Sequence, residues 1–382
     1  MVKRPVSLLL VLAILFFLLP AVSAEDLRLS APSAILMEAS TGETLYEQNA
    51  HERLRPASVT KIMTLLLVME ALDDGRIGWD DTVTASAAAA SKGGSQIYLE
   101  ENEQLPLEEM LKSVVVSSAN DCACALAEYV AGSEAAFVEQ MNRRAQELGM
   151  NDTHFVNCTG LDDEPEAAEH LTSAYDIALM SRALLCHEKI KDYTTIWMDT
   201  VRNGQFGLSN TNKLVRFYEG TTGLKTGYTS SAGYCLSASA KKNGMELIAV
   251  VLHCADSKGR FESAKTLLNY GFSNYALVHP APAEEIPAVP VTLGTAESVT
   301  PVLLDDSPVL TDKGQAANAQ VSVVVSEGVH APVEKGQQLG LLRVSADGAV
   351  LAERELVAPE DIAALTFWDI FTQLLHALCG FS

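Results

Sequence analysis

The spacing of apolar positions changes along the chain and predicts where strands and helices lie. Residues 33–48 contain two short apolar runs around Ser40-Thr41-Gly42, which is a hairpin signal. Residues 56–72 predict a helix without a polar face, so this helix should lie in the middle of a domain. Apolar positions at helical spacing predict three further helices, over residues 110–130, 134–148 and 173–185.

A group of strand-like segments follows these helices. Residues 223–229, 234–240 and 245–253 are rich in apolar and β-branched side chains, and Lys241-Lys242-Asn243-Gly244 predicts the turn between the last two. Residues 261–270 then predict a returning helix. Because helices separate the early strands from the late ones, we expect an α+β domain whose sheet is completed by distant segments of the chain.

The pattern changes again after the returning helix. Seven of the 14 prolines fall between Pro280 and Pro332, and the helical period disappears. Residues 321–325, 339–344 and 350–357 predict strands, with Asp347-Gly348 as the tight turn between the last two. The chain is also longer than one hydrophobic core usually serves. The sequence therefore predicts a first domain over residues 25–276 and a small all-β domain over residues 277–360.

The amino-terminal segment has the pattern of a secretory signal. Lys3 and Arg4 precede an unbroken apolar run over residues 8–19, and small side chains stand just before Glu25. This pattern predicts a signal peptide over residues 1–24 and a mature protein that works outside the cytoplasm. An uncleaved anchor is the alternative, but the run is shorter than the roughly 20 residues that span a bilayer.

The carboxyl-terminal segment, residues 361–382, predicts an amphipathic helix that begins at Ala363 and ends at Leu378. Asp369 and His376 are the only ionisable residues in that helix. It is too short to span a membrane, and its apolar face favours an anchor that lies in the membrane interface. Docking on the protein itself is the alternative, because such anchors usually carry Lys or Arg and this segment has neither.

The composition excludes several classes of function. The formal net charge of −22 repels nucleic acid and anionic membrane surfaces. Seven cysteines cannot all pair, and Cys122 and Cys124, two apart on a helix, point to different faces. Buried thiols are expected rather than a disulfide framework, although one or two disulfides stay open for a secreted chain. The eight histidines show no metal-ligand spacing, so neither a metal nor a cofactor is predicted.

Ser58 and Lys61 form the first candidate pair for chemistry. Residues three apart share one face of a helix, and an unprotonated lysine can remove the proton that makes a serine hydroxyl a poor nucleophile. Burial in an apolar helix lowers the pKa of a lysine and so supplies the unprotonated form. The alternative is that Ser58 caps the helix while Lys61 extends to water.

Ser118-Ala119-Asn120 forms a second candidate group inside a helical stretch. The Ser118 hydroxyl can pass a proton from the lysine to a leaving amine, and the Asn120 amide can donate to a substrate carbonyl. The structural alternative is a capping box, because Ser118 has Asp121 three residues further on.

Lys225-Thr226-Gly227 forms the third group, on a predicted strand. Lys225 and Thr226 can hold a carboxylate there, and Gly227 lets a substrate backbone approach closely. If this strand lies at the edge of the sheet, it can pair with an extended peptide. A basic turn without chemistry is the alternative.

The three groups occur in one order, and their first residues are separated by 60 and then 107 residues. This trio is found in class A β-lactamases and penicillin-binding proteins. From residue 31 to 272 the chain resembles the low-molecular-mass penicillin-binding proteins, the serine D-alanyl-D-alanine carboxypeptidases, with a weaker likeness beyond. The segments that carry the resemblance are residues 56–64, 170–176, 223–229, 232–235 and 259–261.

The resemblance implies a β-lactamase/transpeptidase-like catalytic domain, in which helices flank an antiparallel sheet. Ser58 would attack the carbonyl between the two D-alanines of a peptidoglycan stem peptide, with Lys61 as general base and Ser118 as proton relay. Water would then hydrolyse the acyl-enzyme. β-Lactam antibiotics would acylate Ser58, because they mimic the D-Ala-D-Ala amide.

The same resemblance implies how the substrate is held. The backbone N–H groups of Ser58 and Tyr228 would form the oxyanion hole. The carboxylate of the departing D-alanine would contact Thr226, with Lys225 and Arg260 supplying positive charge. Several relatives have His where Tyr228 stands, and we expect activity to be retained because the backbone N–H does the work.

Three other functions stay open at this point. A class A-like β-lactamase would use an acidic loop, and Glu164-Pro165-Glu166 resembles one, but the residues that follow do not continue that pattern. A β-lactam or peptidoglycan sensor would be acylated without turnover and would ordinarily need a spanning segment. A catalytically silent wall-binding protein is the third alternative, which the presence of every reactive group disfavours.

Overall fold

The computed structural model describes residues 27–163, 165–282 and 284–379. The predicted signal peptide lies outside the described residues. The strands of the first domain are β1 (Ser33–Glu38), β2 (Thr44–Gln48), β3 (Thr82–Thr84), β4 (Gln104–Pro106), β5 (Met198–Val201), β6 (Phe206–Ser209), β7 (Thr221–Thr229), β8 (Gly233–Lys242) and β9 (Met245–Cys254). Its helices are α1 (Lys61–Asp73), α2 (Ala87–Ala90), α3 (Leu107–Ser117), α4 (Asn120–Ala131), α5 (Glu134–Glu147), α6 (Ala174–Leu185), α7 (Lys191–Thr194), α8 (Leu214–Phe217) and α9 (Ser257–Asn274).

Five strands form an antiparallel sheet in the order β2-β1-β9-β8-β7. The early strand β1 pairs with the late strand β9, where Ile35 faces Val250. The expected α+β domain with a sheet completed by distant segments is therefore confirmed. The turn between β8 and β9 is tighter than predicted, because Lys241 and Lys242 stay in the ladder and only Asn243-Gly244 turns. Both turn residues have positive φ, 51° and 83°, as a two-residue hairpin turn requires.

The sheet separates two hydrophobic cores because successive side chains of a strand point to opposite faces. Ile35 of β1 and Val250 of β9 pack on one face with α1, α4 and α6. Leu36 and Val251 point to the other face and pack against α9. Burying a side chain of this size contributes about 1.5–3 kcal/mol. Helix α1 lies between the sheet and the other helices and is buried on all sides from Lys61 to Met69, as its lack of a polar face predicted.

Among its described residues, the second domain is all-β apart from one short helix, α10 (Lys313–Ala317). Its strands are β10 (Tyr275–Val278), β11 (Val289–Thr292), β12 (Ser298–Val299), β13 (Val302–Leu303), β14 (Val309–Asp312), β15 (Gln320–Val325), β16 (Val329–His330), β17 (Gln338–Ala346) and β18 (Ala349–Val357). They form sheets of the orders β13-β18-β17-β15, β12-β11-β16 and β10-β14. The three predicted strands are thus observed as β15, β17 and β18. Strand β10 spans residue 277, where the domain boundary was predicted, and that boundary stays a prediction.

The carboxyl-terminal helix, α11 (Phe367–Cys379), begins four residues later than predicted. Thr366 and Asp369 explain the start, because their side chains and backbone N–H groups bond reciprocally in a capping box. Ala363, which was predicted to be helical, instead accepts a backbone bond from Thr295 of the β domain at 2.9 Å. Several large apolar side chains of α11 face solvent: Phe367, Trp368, Phe371, Leu374 and Leu375. Within the described part of the chain, no helix is long and apolar enough to cross a membrane.

Candidate active site

Ser58 and Lys61 lie together at the start of the central helix. Ser58 belongs to the 3-10 turn Ala57–Thr60, and Lys61 is the first residue of α1. The Lys61 Nζ atom lies 2.9 Å from Ser58 Oγ and 2.8 Å from the carbonyl oxygen of Thr159, to which it donates. Lys61 is fully buried, and Ser58 does not cap the turn. The alternative of a capping serine and a lysine extended to water is therefore wrong.

The environment of Lys61 favours its unprotonated form. Burial lowers the pKa of Lys61 from 10.5 to about 7, while the nearby Cys158 and Asp121 act in the opposite direction. Because a charged ammonium is costly to bury, the neutral amine is well populated near neutral pH. A neutral amine in contact with a serine hydroxyl is the arrangement that a general base requires.

Ser118 lies at the junction between α3 and α4, in a conformation that a serine rarely adopts. Its φ of 63° is left-handed, and its side chain is nearly buried. The Ser118 Oγ atom has no hydrogen-bond partner among the described residues. A strained residue with a buried, unsatisfied hydroxyl is typical of a functional position rather than of a structural one.

The capping box, which was the structural alternative for Ser118, is absent from the described structure. Residue Ala119 precedes α4, and no side chain caps that helix. The Asp121 carboxylate instead accepts the backbone N–H groups of Ile97 and Leu99, each at 3.0 Å. Asp121 therefore holds a neighbouring loop in place, and the Ser118 hydroxyl stays available for chemistry.

Asn120 is fixed by the same loop. Its Nδ2 atom donates to the carbonyl of Gly93 at 2.7 Å, and its backbone N–H donates to Ser95 at 2.7 Å. The Oδ1 atom of Asn120 is buried and unpartnered among the residues described. One end of the amide is thus anchored, while the other can accept a hydrogen bond.

Strand β7 brings the third group to the nucleophile and lies at the edge of the five-stranded sheet. A Cβ atom on Gly227 would lie 2.6 Å from the Pro56 carbonyl oxygen and 3.1 Å from the backbone nitrogen of Ser58. Since real Cβ atoms do not approach so closely, only glycine lets β7 pass directly beside the turn that carries Ser58.

Two basic side chains lie along this strand. Lys225 is buried, and burial, followed by the charges of Lys61 and Arg260, holds its pKa well below 10.5. Its Nζ donates to the carbonyl of Thr226 at 3.1 Å. Arg260 is also mostly buried and donates to the carbonyls of Gly227, at 3.1 Å, and Cys235, at 3.3 Å. Arg260 thus supports the backbone of the two edge strands.

The rim of the site contains Tyr228 and Thr226. The Tyr228 side chain is 55% exposed, and its ring packs against Tyr234 with centroids 4.3 Å apart and ring planes inclined by 34°. The Thr226 hydroxyl donates to Thr211 Oγ1 at 2.7 Å. The sequence did not indicate Thr211, which lies outside the three motifs. It did not indicate the Thr159 carbonyl either, because a backbone carbonyl leaves no pattern in the sequence.

The loop that contributes Thr159 is organised by Asn157. The Asn157 side chain accepts from Gly160 N at 2.7 Å and donates to the carbonyl of Leu161 at 2.9 Å. Glu166, in the acidic segment that resembled a β-lactamase loop, is exposed to solvent. This loop therefore brings a carbonyl, not a carboxylate, to the base.

An α+β domain with a serine nucleophile candidate, a buried lysine of lowered pKa and an adjacent second serine defines a serine hydrolase of the lysine-base class. The chain belongs to the D-alanyl-D-alanine carboxypeptidase family, whose model matches residues 20–256. Residues 275–364 match the model of the penicillin-binding protein 5 C-terminal domain. The predicted fold and the predicted enzyme class, a serine-type D-Ala-D-Ala carboxypeptidase, are confirmed, and the lactamase, sensor and silent-binder alternatives are not favoured.

Similar proteins cover nearly the whole chain. It is 42% identical over 378 residues to D-alanyl-D-alanine carboxypeptidase DacF of Bacillus subtilis, and the alignment covers 96% of each of the two chains. It is 33% identical over 386 residues to DacC of Escherichia coli, covering 96% of this chain and 95% of DacC. The solved penicillin binding protein 5 of Haemophilus influenzae superposes with a TM-score of 0.76 at 31% identity, covering 88% of this chain and 98% of that one.

Proposed function

We propose that the chain removes the terminal D-alanine from peptidoglycan stem peptides through an acyl-enzyme on Ser58. The observation that carries this proposal is the 2.9 Å contact between Ser58 Oγ and a Lys61 amine whose pKa is about 7. Lys61 takes the proton of Ser58, and the Ser58 oxygen attacks the carbonyl between the two D-alanines. The backbone N–H groups of Ser58 and Tyr228 stabilise the oxyanion.

The second half of acylation requires a proton for the leaving D-alanine amine. Ser118 supplies it as a relay from Lys61, and its unpartnered buried hydroxyl supports this role. Thr226 and Lys225 hold the carboxylate of the leaving D-alanine, with Arg260 behind them. Water then attacks the acyl-enzyme carbonyl, the Ser58–acyl bond breaks, and Ser58 regains its proton.

The open edge of β7 is proposed to hold the stem peptide in an extended form. An edge strand leaves one side of its backbone free to pair with another chain. Gly227 leaves no side chain between this edge and Ser58. The Asn120 Oδ1 atom, which is buried and unpartnered among the described residues, accepts a hydrogen bond from the peptide. β-Lactams enter the same site and acylate Ser58, and the solved penicillin-binding protein D2 of Listeria monocytogenes, 32% identical, is described in an ampicillin-bound form.

The enzyme acts outside the cytoplasm, and α11 is proposed to hold it at the outer face of the cytoplasmic membrane. The exposed aromatic and leucine side chains of α11 support this role, because water does not favour so large an apolar face. Flotation of the full chain with lipid vesicles tests the anchor. Leu374→Glu should abolish flotation, whereas Gln373→Glu on the neighbouring polar position should leave it intact.

Release of D-alanine from a peptide ending in Lys-D-Ala-D-Ala tests the enzymatic proposal. The full chain in detergent should release D-alanine, and Ser58→Ala should not. Mass spectrometry after incubation with penicillin should show an adduct on Ser58 in the parent chain. If the adduct forms without D-alanine release, the protein is a sensor, and rapid loss of the adduct with hydrolysed penicillin indicates a β-lactamase.

A further inference from the structure

Cys124, Glu134 and Cys158 form a cluster that the proposed catalytic cycle does not use. The residues come from α4, from the first turn of α5 and from the loop that precedes the 3-10 turn Pro165–Glu169. The two Sγ atoms and a carboxylate oxygen of Glu134 all lie within 4.8 Å of one another. Both cysteines are fully buried, and Glu134 is partly exposed.

The distances from the two sulfur atoms to the Glu134 carboxylate are close to those of a metal-ligand set. Cys158 Sγ lies 3.1 Å from Glu134 Oε1, and Cys124 Sγ lies 3.7 Å from Oε2. Tetrahedral Zn²⁺ with bonds of about 2.3 Å to sulfur and 2.1 Å to oxygen separates neighbouring sulfur and oxygen ligands by about 3.6 Å. The observed distances lie within about 0.5 Å of that value, so small rotations of the side chains suffice.

The charges around the cluster also suit a divalent ion. Lys92 Nζ lies 2.6 Å from Glu134 Oε2, and both side chains are partly exposed, which gives solvent access to the carboxylate. Two thiolates and one carboxylate carry three negative charges, and a divalent ion together with Lys92 balances them. The thiol protons leave to solvent when the two metal–sulfur bonds form, so the net charge of the cluster does not change.

We propose that Cys124, Glu134 and Cys158 form a Zn²⁺ site, with water as the fourth ligand. Thiolate ligands select Zn²⁺ over Mg²⁺ or Ca²⁺, and three protein ligands from three segments link those segments together. The site goes beyond the proposed function and departs from the expectation that the chain binds no metal. Spacings of 10 and 24 residues resemble no short metal motif, which is why the sequence did not indicate it.

The consequence of the site concerns the base loop. The Cys158 carbonyl accepts the Thr64 hydroxyl at 2.6 Å, and the next carbonyl, that of Thr159, accepts from Lys61. An ion on Cys158 therefore fixes the loop that orients the base. The ion itself does not contact Ser58. Its role is structural: it stabilises the folded chain, because it binds a site that the unfolded chain lacks.

Metal binding can be measured directly on the full chain in detergent, reduced with a phosphine and stripped with a chelator. Titration with Co²⁺ should produce thiolate-to-cobalt absorption that saturates at one equivalent, and Zn²⁺ should displace it. Cys124→Ser and Cys158→Ser should each weaken binding by more than about 100-fold, because each removes a ligand and the loss of an outer-shell partner alone already costs about 10–100-fold. The matched control is Cys122→Ser, which lies on the same helix and is buried, but outside the cluster. Acylation by a fluorescent penicillin checks that each variant is folded.

A second measurement uses only the parent chain, so it tests the proposal even if the cysteine variants fail to fold. Zn²⁺ should protect Cys124 and Cys158 from a maleimide under mild denaturation, while the exposed Cys186 reacts equally with and without the ion. The proposal is overturned if the reduced parent chain shows no thiolate-to-cobalt absorption, if Cys158→Ser retains it, or if Cys122→Ser loses it equally. None of these results bears on D-alanine release, so this proposal and the proposed function fail independently.

Discussion

The imidazole of His170 and the hydroxyl of Thr60 are in contact, with Nε2 2.8 Å from Oγ1, directly below the turn that carries Ser58. The backbone N–H of Val156 donates to His170 Nδ1 at 3.1 Å, so Nδ1 is the unprotonated nitrogen of the neutral ring. Nε2 therefore carries the proton and donates to Thr60, and Thr60 in turn donates to the Ala57 carbonyl at 2.8 Å. One continuous chain of hydrogen bonds thus ends at the residue before the nucleophile.

Thr60 is expected to position the nucleophile turn. Ala57 has a φ of 48°, and a left-handed alanine costs about 1–2 kcal/mol unless its surroundings hold it. Thr60→Val keeps the shape of the side chain but removes the bond to the Ala57 carbonyl. We expect acylation of Ser58 by penicillin to slow by about tenfold, because losing a buried hydrogen bond costs about 1–3 kcal/mol. Stopped-flow measurement of the second-order acylation rate checks this.

Thr60→Ser is the matched control, because serine keeps the hydroxyl and loses only a methyl group. It should acylate within a few-fold of the parent rate. Equal rates for the Val and Ser variants would show that the hydroxyl does not hold the turn.

The same histidine predicts how stability depends on pH. Burial, followed by the charge of His154, lowers the pKa of His170 from 6.5 to about 4. Between pH 6.5 and pH 4 the unfolded chain binds a proton at this histidine and the folded protein does not. The free energy of unfolding therefore falls as the pH drops from 6.5 to 4, and below pH 4 the contribution of His170 to stability is gone. The loss is on the order of 3 kcal/mol. Urea unfolding at pH 7 and pH 4.5 should show a smaller difference for His170→Gln than for the parent; an unchanged difference contradicts the assignment.

Lys61 predicts the pH dependence of acylation. Its pKa is about 7, mainly because it is buried, and only the neutral amine can accept the Ser58 proton. The acylation rate should therefore rise with pH below 7, by about tenfold per unit, and level off above it. Lys61→Arg should not acylate at any of these pH values, because a guanidinium stays protonated. A profile that is flat from pH 5 to 9 would exclude Lys61 as the base.

Part of the fold and site was predictable from local sequence. The burial of α1 was predicted because the helix has no polar face. The three motifs were predicted because they bring together hydroxyl, amine and amide groups that suit acyl transfer. The strained backbone of Ser118 and its hydroxyl, free among the described residues, could not be predicted from the sequence, because a serine with Asp121 three residues later also fits a capping box. The Asp121 carboxylate is used by the amides of Ile97 and Leu99, and that contact depends on the tertiary fold.

Other features were not predictable for the same reason. The Thr159 carbonyl reaches Lys61 across 98 residues, and the bond between His170 and Thr60 joins residues 110 apart. Contacts between residues so far apart along the chain produce no periodic pattern in the sequence. The start of α11 was predicted too early, because the apolar pattern continues through Ala363 although the backbone there pairs with the β domain.

Gly160 should not tolerate a side chain, for a reason that Gly149 does not share. Both glycines have left-handed φ angles, 81° and 75°. A Cβ on Gly160 would overlap the Ala57 carbonyl oxygen and lie 2.7 Å from Thr60 Oγ1, whereas a Cβ on Gly149 meets nothing within 4 Å. Gly149→Ala should cost only the backbone strain, about 1–2 kcal/mol. Gly160→Ala should cost more and also prevent acylation, as measured by thermal unfolding and penicillin labelling. Equal losses in the two variants would contradict this account.

The two variants Ser118→Gly and Ser118→Ala should differ in stability but not in activity. Its φ of 63° favours glycine, and its hydroxyl forms no bond with the described residues that a substitution would lose. Ser118→Gly should therefore raise the free energy of unfolding by about 1–2 kcal/mol relative to Ser118→Ala, because only glycine relieves the strain. Both variants should release D-alanine at least about 100-fold more slowly than the parent, since both lack the hydroxyl that passes the proton. Equal stability of the two variants would show that the junction is not strained, and D-alanine release by Ser118→Ala at the parent rate would remove Ser118 from the proton path.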